Sequence, residues 1–83
     1  MKMFNKNDYV VTSDGKLWKC ICEDADVAVF GKIRWTKNGD KFTDFETVHV
    51  YSNNNNVLPY SEMDMQYFGN DFEMAMSRNW GDL

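Results

Sequence analysis

The sequence predicts an α+β domain: a four-stranded antiparallel β-meander packed against a C-terminal helix. Three observations predict it. Two turn dipeptides, Asp14-Gly15 and Asn38-Gly39, are each flanked by runs rich in β-branched and aromatic residues. From Met65 onward the large apolar residues recur every three or four positions, the spacing of a helix face. The chain has 83 residues, 43% of them hydrophobic and 16% aromatic, which is room and material for one core.

The first hairpin is read from Tyr9-Val10-Val11-Thr12, the turn at Ser13 to Lys16, and Leu17 to Cys22. A two-residue turn at Asp14-Gly15 would set Val11 opposite Trp18 and Tyr9 opposite Cys20. The second hairpin covers residues 27–51. Taking Asn38-Gly39 as its turn pairs Trp35 with Phe42, Val29 with Val48 and Val27 with Val50. That makes one apolar side, with Lys32 and Arg34 on a mixed opposite side, as a half-buried sheet requires. Both hairpins together span residues 9–22 and 27–51.

Residues 52–59, with four consecutive asparagines, read as a polar linker between sheet and helix. Ser61 and Asp64 have the spacing of a helix cap, so the helix is expected over residues 62–79. Met65, Phe68, Phe72, Ala75 and Met76 form its inner stripe. Gly69 costs about 1 kcal/mol in a helix interior and marks a break point. A small SH3-like barrel with a C-terminal helix is the competing fold, because the opening hairpin suits either.

Charge is unevenly distributed. The net value is −4, yet residues 1–41 carry eight Lys/Arg against six Asp/Glu, whereas residues 42–83 carry Arg78 against seven acids. Such asymmetry gives the two halves different fields. Met1 to Asp8 lacks the apolar stretch of a secretory signal, and no run reaches the roughly 20 apolar residues of a membrane span. Two cysteines are few for a small secreted scaffold. A reduced, cytoplasmic setting is therefore expected.

Catalysis is not expected. The single histidine, His49, has no Ser or Cys partner motif, and so small a domain keeps little concave surface. No metal or cofactor is expected either: Cys20, Cys22 and His49 are at most three soft ligands where structural zinc takes four. Buried strand cysteines act as small hydrophobes.

Two binding readings remain. The first is an acidic protein-interaction or inhibitor module that contacts a basic protein, for instance one that handles nucleic acid. On one helix, Met63, Tyr67 and Met74 would sit together outside the main stripe, ringed by Glu62, Asp64, Asp71 and Glu73. Soft apolar centres with charged rims suit protein interfaces. Shortness, acidity and an Asn/Lys/Met-rich composition suit a phage or mobile-element origin. The second is a nucleic-acid-binding sheet face using Trp18, Lys19, Lys32, Arg34 and Trp35, which mixes cations with rings. A pI near 4.7 opposes that second reading. Self-association as a homodimer is a third possibility.

Overall fold

A computed structural model describes residues 3–54 and 65–78. Its elements are β1 (Tyr9–Thr12), β2 (Leu17–Glu23), β3 (Val27–Trp35), β4 (Lys41–Ser52), β5 (Met65–Gly69) and α1 (Phe72–Ser77). The α+β class holds, but the sheet has five strands, all antiparallel, in the order β4-β3-β2-β1-β5. Among the described residues β4 and β5 are its two edges, so the sheet is open and the barrel alternative is not what forms.

The expected single helix is replaced by a strand, a turn and a six-residue helix. Met65–Gly69 lies extended along β1, with Val10 opposite Tyr67 and Thr12 opposite Met65. Pairing there satisfies backbone groups that β1 would otherwise leave unpaired at an edge. Gly69 then turns the chain at φ +59, in the left-handed region where glycine is unstrained. Asp71 caps the following helix by accepting the Met74 N–H at 3.0 Å. Periodicity of three and four is thus genuine only after residue 71. Met65 and Phe68 match it by coincidence.

Both hairpins turn as foreseen at Asp-Gly and Asn-Gly, yet with three loop residues rather than two. Thr12 N–H donates to Lys16 O at 3.0 Å and Thr36 N–H to Asp40 O at 2.8 Å. Gly15 and Gly39 sit at φ +82 and +88. A three-residue loop with left-handed glycine last is the next commonest hairpin connection. Each loop is preceded by threonine, whose hydroxyl bonds within the turn: Thr12 Oγ1 to Asp14, and Thr36 Oγ1 accepting from Asp40 N. One extra loop residue shifts the register, so Val10 faces Trp18, Val11 faces Leu17 and Trp35 faces Lys41.

Two apolar clusters lie on opposite faces of the sheet. One joins Phe4, Val10, Trp18, Cys20, Ala28, Phe30, Tyr51 and Met65. The other joins Tyr9, Val11, Leu17, Ile33 and Ala75, flanked by Trp35, Phe68, Phe72 and Met76. Among the described residues, helix α1 packs on this second face, chiefly against β1 and β5. Lys41 completes that corner, its ammonium lying 4.0 Å from the Phe72 ring centroid and 5.9 Å from that of Tyr9.

Asn53, expected in the linker, is fully buried. Its side chain accepts from Phe4 N–H and donates to Phe4 O and Asp24 O, at 3.0 and 2.7 Å for the two donations. Its backbone N–H reaches Asp26 O at 2.8 Å, and its carbonyl accepts from Met3 N at 3.1 Å. One residue therefore ties the N-terminal segment, the β2–β3 turn and the end of β4 together.

Candidate interaction surface

The sheet's registers decide which side chains emerge on each face. Strand β3 is continuous, so Ala28 and Phe30 point to one side, and Val27, Val29, Gly31 and Ile33 to the other. Its partners are interrupted twice. In β2 the register moves between Cys20 and Cys22, leaving Ile21 as an extra residue. In β4 it moves from Val48, opposite Gly31, to Asp44, opposite Lys32, so Phe45, Glu46 and Thr47 form a three-residue bulge.

Asp44 shapes that bulge. Its Oδ1 accepts from Glu46 N at 2.9 Å and Thr47 N at 3.3 Å, while its Oδ2 takes the Arg34 Nε–H at 2.6 Å. Arg34 also donates to Thr47 Oγ1 at 3.2 Å. The Arg34 bond, helped by the backbone N–H of Glu46, holds the Asp44 carboxyl well below the usual 3.8. A depressed acid contributes stability above its unfolded value and loses it only as pH falls through the folded value. The side-chain carboxyl resonance of Asp44 should therefore stay unchanged from about pH 7 to about pH 4. Movement centred near the ordinary carboxyl value would show that the clamp is not made.

Gly31 permits the bulge. A Cβ there would stand 2.8 Å from Thr43 Cγ2 and 3.0 Å from Asp44 O. Gly31→Ala is expected to cost about 1–3 kcal/mol in urea unfolding, as overpacked sites do. A neutral result would mean that β4 relaxes freely away from β3.

Beyond the bulge, no described residue covers the face shared with Ile33. Cys22, Val29 and Val50 form one cross-strand row, and Val48 lies beside Gly31. Val27 is 40% exposed, Val48 39%, Val50 57% and Phe45 69%. Cys22 is exposed too. The valine side that the sequence marks as the apolar, inward one is thus the outward one here, while Ala28, Phe30 and Tyr51 are buried behind it. Scattered apolar residues at a surface are ordinary, but a contiguous patch on a sheet face is not. Phe45 borders this patch above a cleft of about 190 Å³ that Lys6, Asn7, Lys19, Ile21 and Thr43 also line.

The acidic surface foreseen around one helix is not assembled that way. Tyr67 lies on β5, and its hydroxyl donates to Asp8 Oδ2 at 2.7 Å while its ring meets Phe4. Burial and that carboxylate push the Tyr67 phenol up to about 12. Asp71 is engaged as the helix cap, Glu73 follows in the first turn, and Met74 is half exposed on α1. Tyr67 belongs to the Phe4 side and α1 to the Ile33 side, so Tyr67 and Met74 do not form one patch. Glu62, Met63 and Asp64 lie outside the described residues.

The basic and aromatic set is also divided. Trp18 is buried, with Nε1 donating to Thr12 Oγ1 at 3.0 Å and its ring 4.3 Å from that of His49. Lys19 points to the opposite face from Trp18, toward the Phe45 cleft. Lys32, Arg34 and Trp35 do come together, lining an open groove of about 310 Å³ with Phe42. Among the described residues no acceptor meets the buried Trp35 Nε1.

Cys20 and Cys22 would share a side of a regular strand, but the Ile21 bulge splits them: Cys20 is buried, and Cys22, against the expectation of buried cysteines, is exposed. Burial pushes the Cys20 thiol up to about 11. Among the described residues no group of three or more His, Cys, Asp or Glu is placed to hold a metal ion. No helix among them is long and apolar enough to cross a membrane. Comparison with protein-family models, with curated proteins and with solved structures finds no match for this chain.

Proposed function

We propose that this chain is a non-catalytic protein-interaction module whose contact surface is the uncovered valine face of the β3–β4 ribbon. The observation that supports it is the exposure of Val27, Val48 and Val50 in adjoining rows beside Cys22, with Phe45 exposed in the bulge that precedes Val48. An antiparallel sheet with apolar side chains on both faces needs cover on both. Helix α1 is too short to provide it beyond β1 and β5. A net charge of −4 favours encounter with basic partners. The test compares partners recovered by wild-type protein, Val50→Glu and Glu73→Lys. Loss of recovery with Val50→Glu alone is expected; retention with that variant sinks the reading.

A second reading keeps one supporting observation. The groove lined by Lys32, Arg34, Trp35 and Phe42 sets cations beside a half-exposed ring, as single-stranded nucleic acid requires. Arg34 is partly committed to Asp44, which weakens it as a phosphate ligand. An electrophoretic shift at low salt that disappears in Phe42→Ala would favour this reading over the first.

A further inference from the structure

We propose that the cleft between the N-terminal turn, β2 and the β4 bulge binds a nucleoside monophosphate, its phosphate between Lys6 and Lys19 and its base against Phe45. The inference goes beyond the protein-interaction reading and shares only Phe45 with it. Its first support is local charge. Lys6 and Lys19 line one cleft of about 190 Å³. Among the described residues neither ammonium meets a carboxylate, another acceptor or a ring. No described acid lines the cleft. Of the acids next in the chain to its walls, Asp8 accepts from Asn5 N–H at 2.8 Å and from the Tyr67 hydroxyl at 2.7 Å. Asp44 is held by Arg34 at 2.6 Å, and Glu46 is exposed to water. Two unpaired cations on one cleft thus set a local field opposite in sign to the net charge of −4.

The donor set gives the second support. Asn7 and Thr43 add an amide and a hydroxyl to the same walls, so the cleft offers hydrogen bonds chiefly to an acceptor. Lysine is a point charge without the planar fork that matches a carboxylate, and a phosphate monoester carries about −1.5 to −2 at neutral pH, which balances two ammoniums. The walls are also held in place. Asn7 N–H donates to Cys20 O at 2.9 Å and Cys20 N–H to Asp8 O at 2.7 Å, which pins the turn carrying Lys6 to β2. Asn7 itself takes φ +77, a left-handed conformation that asparagine tolerates better than most residues. Thr43 and Phe45 flank Asp44, whose bonds to the bulge and to Arg34 fix the other wall. Size decides what enters. The cleft is smaller than the roughly 300 Å³ at which pockets for whole ligands begin, so it takes the phosphate and leaves the base outside. There Phe45, 69% exposed, presents a ring on which a base stacks.

Titration with adenosine monophosphate, followed by the amide resonances of Lys6, Lys19 and Thr43, tests the proposal. Saturating shifts with a dissociation constant on the order of 0.1–1 mM are expected. Lys6→Ala and Lys19→Ala should each weaken binding about tenfold, whereas Lys37→Ala, in the β3–β4 turn, should change it less than about twofold. Phe45→Ala should weaken it at least about fivefold. Ribose 5-phosphate, which lacks the base, should bind that much more weakly from the start and be indifferent to Phe45→Ala. All four side chains are outside the buried core, so the variants should keep the wild-type dichroism spectrum. No saturating shift at these amides up to about 10 mM overturns the proposal. Equal loss with Lys37→Ala reveals diffuse attraction and overturns it too. Phosphotyrosine binding as tightly as the nucleotide would make the carrier a phosphorylated side chain, and the nucleotide assignment falls. None of these results bears on the valine face, which Val50→Glu tests separately.

Discussion

Replacing Asn53 with alanine is expected to destabilise the domain by about 3–5 kcal/mol, enough to unfold much of the population at physiological temperature. The cost comes from groups left unsatisfied. From a fully buried position the amide serves Phe4 N–H and Phe4 O, both away from water, and the part-buried Asp24 O. Each buried group left without a partner costs about 1–3 kcal/mol, and the losses overlap because they share one site. For a domain of this size each kcal/mol moves the melting temperature by about 4–8 °C. Asn53→Asp should be at least as damaging near neutral pH, since a carboxylate would face two carbonyl oxygens where the amide donates. A carboxyl so placed has its folded pKa raised, so that variant should regain stability as pH falls. Thermal unfolding followed by tryptophan fluorescence measures both. A shift of only a few degrees for Asn53→Ala would mean that water replaces the amide at little cost.

Phe30→Ala should cost a comparable 3–5 kcal/mol, roughly, through a cavity rather than through lost hydrogen bonds. Phe30 is fully buried, with ring centroids 5.1 Å from Phe4 in an edge-to-face contact and 5.5 Å from Tyr51. Its loss empties the middle of the cluster that also holds Val10, Trp18 and Cys20. Phe30→Leu, which keeps most of the volume, should lose markedly less. The two sites are linked through Phe4, whose backbone is held by Asn53 and whose ring packs on Phe30. The double variant should therefore be less damaging than the two single losses added. Strict additivity in chemical denaturation would show that the N-terminal segment is anchored independently of this ring stack.

What the sequence disclosed follows from how locally each feature is determined. Turn chemistry is local, so Asp14-Gly15 and Asn38-Gly39 located both hairpins. Their registers depended on the threonine before each loop, whose hydroxyl stabilises one more loop residue. The strand at Met65–Gly69 was hidden because its apolar positions match helical spacing. Its conformation is dictated by the β1 edge beside it, a tertiary demand that periodicity does not contain. Asn53 gave no signal at all within a run of identical residues. The valine face was legible as apolar, but not as exposed. Alternation names two faces, and which one finds cover depended on the short reach of α1 and on the bulge that Asp44 and Arg34 hold.

The splitting of Cys20 from Cys22 offers a built-in stopwatch. The Cys20 side chain is fully buried opposite Phe30 with its thiol raised to about 11, so a labelling reagent needs the sheet to open before it reacts. In a Cys22→Ser background, the slow modification of that lone thiol would report how often the native molecule breathes, with no denaturant present.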